Sequence, residues 1–411
     1  MTPGETTCLG CGSALPEPFL DLGKTPLANS FVRPERAHLP EATYRLAVAF
    51  CPLCHLVQLT DRVPPEDLFS EYLYFSSYSD SFLEHARAMA ESLTQRFHLG
   101  AGSLVLEIAS NDGYLLQYFQ KNGIRVMGVE PARNIAAAAE SRGIPTLNRF
   151  FGPEAVKEIT GNSGKADMII GNNVLAHVPA INEFLRAVKA CLKPDGAAVF
   201  EFPHLEDLLD RTAFDTIYHE HVFYFSLSAI RTLVERAGLH LLDVSSQAVH
   251  GGSLRVFLGH QEPHPASPNV AALLSQEQAA GLTGPERFAA FGRQVSALKQ
   301  DLVATLGRLK ASGKRLAAYG APAKGNTLLN YCGIGTDYVE FTVDRSPHKQ
   351  GLCLPGTHIP IFAPEKIRET KPDYLLILPW NLKDEIMAHM SFIREWGGQF
   401  VVPVPHVEIV S

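Results

Sequence analysis

The chain has 411 residues, 46% hydrophobic and 19% charged, with a formal net charge of −7. That length allows two or three domains with full cores, and the composition excludes a disordered chain. A mildly acidic protein without a basic block is excluded from wrapping a nucleic acid polymer, so any anionic ligand must be met locally by backbone amides or a few cations.

The opening MTPGETTCLGCGSALPEPF has no apolar core of a signal peptide. No apolar run approaches the ~20 residues of a membrane helix. The expectation is a cytoplasmic protein, not membrane-bound, with reduced cysteines free to bind metal. Residues 1–65 are rich in Pro and Cys and weakly periodic. Within them Cys8 and Cys11, then Cys51 and Cys54, form two C-x2-C pairs. Such a turn aims two sulfurs at one point, and two turns supply the four thiolates of a tetrahedral zinc. Two disulfides, or unrelated buried cysteines, are the alternative. A closed four-sulfur site has no open position for substrate, so zinc should hold a small, core-poor module together. Cys191, Cys332 and Cys353 stand alone and read as structural.

From about residue 80 to 260 the runs SLVLEI, RVMGVE, ADMIIGN and GAAVFEF alternate with helix-like stretches such as INEFLRAVKACL. This βαβ rhythm predicts a parallel sheet covered on both faces. HLLDVSS and GGSLRVFLG follow as two strands at an antiparallel edge. GHQEPHPASPN reads as a linker or surface loop, and a long helix is predicted from about Gly284 to Ala311. KRLAAYG, VEFTVD, DYLLILP and GQFVVP then restart the rhythm as a second, smaller α/β unit.

VLEIASNDGYLL follows the first strand of the central unit and opens a helix, whose first N–H groups are free for a ligand. A dinucleotide site needs G-x-G-x-x-G, but Ala109 and Asn111 stand where its first two glycines would be. Glu107 suits a ligand bearing an ammonium group, and Glu130 ends the next strand, where an acidic residue binds ribose hydroxyls. Ammonium plus ribose without pyrophosphate describes S-adenosylmethionine. A ligand-free domain or another nucleotide is the alternative. GNNVLAHV places Asn172, Asn173 and His177 beyond the carboxyl end of a strand, facing the usual ligand crevice. IYHEHVFYFS crowds Tyr218, His219, Glu220 and His221 among aromatics. It reads as a proton-transfer loop, with packed core and a metal site as rivals. If extended, it points His219 and His221 one way and Glu220 the other; a turn would break that rule. In KRLAAYGAPAKGNTLLNY a small-residue turn opens a helix, and Lys324, with Asn326, is the candidate contact to a nucleotide diphosphate. A structural domain using a common turn is the alternative.

In order, the double C-x2-C module, YLYFSSYS, EIASNDG, NNVLAHV, YHEHVFYFS and GAPAKGNTLLNY resemble the nucleotide-sugar C-methyltransferases of deoxysugar biosynthesis. The resemblance implies a zinc-binding module at 1–65 and a class I S-adenosylmethionine-dependent methyltransferase domain, a doubly wound α/β sheet, at 66–262. A helical linker and Rossmann-like domain would occupy 263–411. The implied reaction methylates a carbon beside the keto group of a dTDP-linked 4-keto-deoxysugar. By this match Glu107, Asn111, Gly113 and Glu130 would bind the cofactor; Tyr74, Asn173, His177, Tyr218, Glu220 and His221 would line the sugar site. His221 would remove the proton, helped by Tyr218 and Glu220. Ala109 departs from the family, which usually has glycine there. The expected partner is a nucleotide-sugar small molecule, met by a monomer or weak oligomer.

The chemistry explains the residue types. A sugar carbon becomes nucleophilic once deprotonated beside a ketone, which calls for a base of near-neutral pKa and donors for the enolate oxygen. The rivals are a non-catalytic nucleotide-sugar scaffold, a NAD-dependent sugar oxidoreductase or epimerase, and an O-methyltransferase, whose hydroxyl acceptor needs no enolate.

Overall fold

Three β-sheets organise the computed structural model, which describes residues 6–64, 77, 80–247, 252–260 and 266–411. The first sheet pairs β1 (Leu20–Thr25), β2 (Tyr44–Phe50) and β3 (Val57–Leu59) antiparallel. Its fourth strand, Phe223–Tyr224, arrives from the middle of the chain.

The second sheet contains β4 (Leu104–Ile108), β5 (Arg125–Val129), β6 (Thr146–Leu147), β7 (Ala166–Asn172) and β8 (Leu192–Pro203). After the borrowed strand, β9, come β10 (His240–Gln247) and β11 (Ser253–Gly259). The order is β10-β11-β8-β7-β4-β5-β6, with β11 antiparallel to both neighbours and the pairings from β8 to β6 parallel. The apolar runs of the central block thus form strands as predicted, and the reversal at β4 places a crevice beyond the carboxyl ends of β4 and β7. The third sheet holds β12 (Leu316–Tyr319), β13 (Thr342–Val343), β14 (Ile361–Phe362), β15 (Tyr374–Ile377), β16 (Gln399–Val402) and β17 (Glu408–Val410). It runs β14-β13-β12-β15-β16-β17, parallel except at β17.

Five helices bear on the site: α1 (Asp80–Arg96), α2 (Leu227–Arg236), α3 (Pro268–Ala279), α4 (Pro285–Ala311) and α5 (Ala323–Cys332). The long helix begins at Pro285, as the sequence predicts; α3, just before it, was not marked there. No described helix is long and apolar enough to cross a membrane.

The N-terminal module is not core-poor, which corrects the sequence expectation. Leu20, Leu22, Leu46, Val48, Phe50 and Val57 share one apolar cluster with α4 and the third sheet. Phe50 stacks on Phe288 at 4.3 Å. Cys8, Cys51 and Cys54 instead join the core of the central sheet. The module is wedged between the other two units. Its periodicity is weak because β2 is buried on both sides from Leu46 to Phe50, which erases alternation.

Glu277 on α3 ties the linker to the central unit. Its carboxylate is fully buried and accepts from Leu227 N–H (2.6 Å), Ser228 N–H (2.8 Å), Ser228 Oγ (2.6 Å) and His204 Nε2 (2.9 Å). Burial raises its pKa, but these donors outweigh burial and hold it below the ordinary range. The group therefore stabilises the fold above the unfolded-state glutamate pKa and loses that contribution as pH falls through the lower folded value. Glu277→Ala should cost about 3–5 kcal/mol near neutrality, since it strands several buried donors. Urea unfolding checks this, and the difference from wild type should shrink as the pH falls below about 4.

Candidate active site

The two C-x2-C turns have the same backbone bond, Gly12 N–H to Cys8 and His55 N–H to Cys51. They bring the four sulfurs within 4.8 Å of one another, with Cys8–Cys54 at 3.4 Å and Cys11–Cys51 at 3.5 Å. A zinc tetrahedron with 2.3 Å bonds has edges of about 3.8 Å, so the donor set fits the metal. The hydrogen bond from Cys54 brings the Cys8 thiol down to about 5, while the Cys54 thiol is pushed up. Thiols this close do not all ionise without a cation among them. All seven cysteines are free, which removes the disulfide alternative.

The cofactor loop is shaped by left-handed backbone. Ala109, Asn111 and Gly113 have φ of +53°, +47° and +79°. A Cβ on Gly113 would sit 2.7 Å from Ile144 Cγ1. Left-handed backbone costs a non-glycine residue about 1–2 kcal/mol, so Ala109 carries strain that glycine would lack. Glu130 anchors the loop, accepting from Asn111 N–H (3.1 Å) and Ala132 N–H (2.8 Å). Burial raises its pKa, and these two bonds oppose the rise. Glu107, 1% exposed at the end of β4, is pushed well above the ordinary range by burial; Glu130 and Asp112 add to this and the Tyr114 hydroxyl opposes it. Asn172 Nδ2 donates to the Tyr114 hydroxyl at 3.1 Å, and Asn172 Oδ1 is buried without a hydrogen-bond partner among the described residues. Buried carboxylates and the unpartnered Asn172 oxygen suit a ligand that brings a cation and hydroxyl donors. The residues therefore fit S-adenosylmethionine.

A turn, with His221 N–H bonded to the Tyr218 carbonyl at 2.9 Å, breaks the extended geometry of the YHEH loop. His219 leaves the site: it is 2% exposed and bonds the Tyr44 carbonyl on β2 through Nε2 (3.2 Å). His219 and His221 do not converge, and the four cysteines are the one metal-competent cluster among the described residues. His221 Nδ1 lies 3.0 Å from the Thr216 carbonyl, and His221 Nε2 lies 2.9 Å from the Tyr218 hydroxyl. A carbonyl only accepts, so Nδ1 carries the proton and Nε2 presents a lone pair to Tyr218. His177 lies on the turn after β7 and donates from Nδ1 to the Glu220 carbonyl (2.6 Å); its ring centre is 5.0 Å from that of His221. Burial holds the His177 pKa down, so the ring is neutral near pH 7. Both Glu220 oxygens accept from Asn29 Nδ2 (3.0 and 2.9 Å), and burial raises the Glu220 pKa. Asn173, left-handed at φ +55°, donates its N–H to the Glu201 carbonyl. Phe223, Tyr224 and Phe225 are buried, as core residues should be. Tyr74 lies outside the described residues.

The end of β7 thus joins two clusters, Asn172 meeting the loop after β4 and His177 meeting His221. The C-terminal unit closes the third side. Lys324 Nζ lies 4.0 Å over the Trp380 ring and donates to Asn381 Oδ1 (3.0 Å); burial lowers its pKa and Asp215 opposes that. Asn326 is 1% exposed, and its Nδ2 bonds the Ala28 carbonyl, so it acts as a strut between units. Sequence reasoning missed Asn29, Asp215 and Trp380, whose neighbours are remote in the chain. It also missed Glu201, which holds Arg255 (2.5 Å) and His85 (2.8 Å) beside Asn172. A glutamate at the carboxyl end of an apolar strand was the available signal.

Three family descriptions match the chain in order. They are a putative zinc binding domain at residues 8–69, a methyltransferase domain at 82–244 and a C-methyltransferase C-terminal domain at 248–405. The C-methyltransferase NovU of Streptomyces niveus is 38% identical over 408 residues, 98% of this chain and 96% of that one. A ubiquinone biosynthesis O-methyltransferase of a Methylobacterium strain is 28% identical over 23% of this chain and 39% of its own length. Among solved structures, the PH0226 protein of Pyrococcus horikoshii aligns with TM-score 0.37 and 15% identity, over 46% of this chain and 95% of that one.

Zinc analysis should give one metal ion per chain, and Cys54→Ala should abolish it. Chelation should release the first sheet to proteolysis before the other two units, because the metal links its two cysteine turns.

Proposed function

This chain belongs to the C-methyltransferase family, and on that premise we propose that it methylates a carbon beside the keto group of a dTDP-linked 4-keto-deoxysugar. It is an S-adenosylmethionine-dependent methyltransferase with a zinc-binding domain. Bound S-adenosylmethionine supplies an electrophilic methyl group. Glu107 would receive its ammonium, Glu130 its ribose hydroxyls, and Ala109, Asn111, Gly113 and Asn172 would line its cleft. An arriving ammonium meets the buried Glu107 carboxyl with the counter-charge it lacks.

The observation that carries the reading is the Thr216–His221–Tyr218 chain, with bonds of 3.0 and 2.9 Å. It places a proton on Nδ1 and turns Nε2 toward the Tyr218 hydroxyl. In the proposed step the substrate C–H bond breaks and its proton passes to His221 Nε2, directly or through the Tyr218 hydroxyl as that group hands on its own proton. The electron pair moves into the enolate, whose oxygen would be met by Asn173 and Tyr74 as donors, while His177, its one ring proton engaged by the Glu220 carbonyl, lines the site. The enolate carbon would then be the nucleophile for the methyl group that the bound cofactor supplies. Glu220 is held by Asn29, and its carbonyl orients His177. Lys324 would meet the nucleotide diphosphate while Asn326 braces the turn beneath it. The divisions at residues 65 and 262, a cytoplasmic setting and a monomer or weak oligomer complete the reading.

Incubation of a dTDP-4-keto-6-deoxysugar in D2O should give deuterium uptake beside the ketone, and with S-adenosylmethionine a singly methylated product. Methylation without carbon-bound exchange would sink the enolate and favour an O-methyltransferase. His221→Asn should lose about 10²–10⁴-fold in turnover while cofactor affinity holds. Glu130→Ala should weaken cofactor binding by about tenfold to hundredfold, read by calorimetry.

A further inference from the structure

The turn that supplies the acceptor for His221 is itself held from another unit. Phe214–Thr216 forms one 3-10 turn, closed by Ile217 N–H to the Phe214 carbonyl (3.0 Å). Asp215, at its centre, is 0% exposed. Its Oδ2 accepts from Trp380 Nε1–H at 2.7 Å, and Trp380 follows β15 in the C-terminal unit. Phe214 packs edge-on against Tyr331 of α5, ring centres 5.4 Å apart. The next residue, Thr216, offers the carbonyl that bonds His221 Nδ1–H. A buried carboxylate is costly to place in a turn, and this one is tethered to the side chain of a residue 165 positions away.

We propose that Asp215 and Trp380 are positioning residues for the base: the Trp380–Asp215 bond fixes the Thr216 carbonyl, which fixes the His221 tautomer. This rests on His221 being the base. Neither residue is a catalytic residue, since neither meets the reacting atoms. If the Thr216 carbonyl drifts, Nδ1 loses its acceptor and the proton can move to Nε2, the nitrogen that must be free of it. The C-terminal unit therefore sets the reactivity of a side chain in the central unit. Lys324 over the same Trp380 ring places the proposed diphosphate contact directly against this tether.

Trp380→Phe removes the donor and keeps a ring in place; Asp215→Leu removes the acceptor; Asp215→Asn keeps an acceptor oxygen. Each full-length variant is assayed for zinc content, S-adenosylmethionine affinity, methyl transfer, and substrate C–H exchange in D2O. The tautomer of His221 is read from ¹⁵N-histidine spectra, with His221→Asn identifying its signals. Trp380→Phe and Asp215→Leu should lower kcat and exchange by about tenfold to hundredfold, the scale of a misplaced group, with KM and cofactor affinity within about twofold. Asp215→Asn should recover most of that loss. Wild-type His221 should show a single Nδ1–H tautomer, and Trp380→Phe a mixture. Wild-type exchange and an unchanged tautomer in Trp380→Phe would overturn the proposal. If wild type shows no exchange, or His221→Asn exchanges like wild type, the base assignment fails instead, and the tautomer still judges the tether.

Discussion

The carbonyl of Thr216 can only accept a hydrogen bond, so the imidazole nitrogen 3.0 Å from it must be the protonated one. That bond aims the other nitrogen of His221 at Tyr218. The chain around it serves to keep a short, polar loop in one conformation. The loop has little regular structure of its own, so its backbone groups must find partners elsewhere. They find them in all three units. Val222 bonds the Ala176 carbonyl beside β7, and β9 pairs with β3 of the first sheet. Asp215 is bonded by Trp380 from the third.

Zinc contributes at a distance. Four thiolates hold the two cysteine turns together, and β3 leaves the second of them within three residues, at Val57. A module paired with β9 and carrying Asn29 against Glu220 fixes where the loop lies. A closed four-sulfur metal has no open coordination position and is suited to that task. The same wedge explains why the module's apolar faces are so large: they pack against α4 on one side and the central core on the other.

The cofactor loop shows a second constraint. Three alternate residues in left-handed backbone turn the loop sharply under the end of β4, with Glu130 capping the N–H of the central one. The conformation is held by the ladder of β4 with β5 and by buried carboxylates, strongly enough to keep an alanine where glycine would be at ease. Strain of this size is stable only where the surroundings over-determine the backbone, which is common at ligand sites.

Local chemistry was legible in the residues themselves. Cysteine spacing announced the metal site, because a C-x2-C turn is a local geometry. Apolar runs announced the central strands, because burial between helices removes alternation over a short, countable length. Glu107, Glu130 and the YHEH loop could be singled out because strand ends and small-residue turns have local signatures. The tertiary structure decided which of the crowded side chains act together. It separated His219 from His221 by a turn, gave Glu220 its partner in Asn29, and brought Asp215 to Trp380. It also gave the first sheet a core shared with α4. Those relations join positions up to hundreds of residues apart, and no periodicity records them. Hydrogen bonds and packing across such distances exist only once the chain has closed on itself.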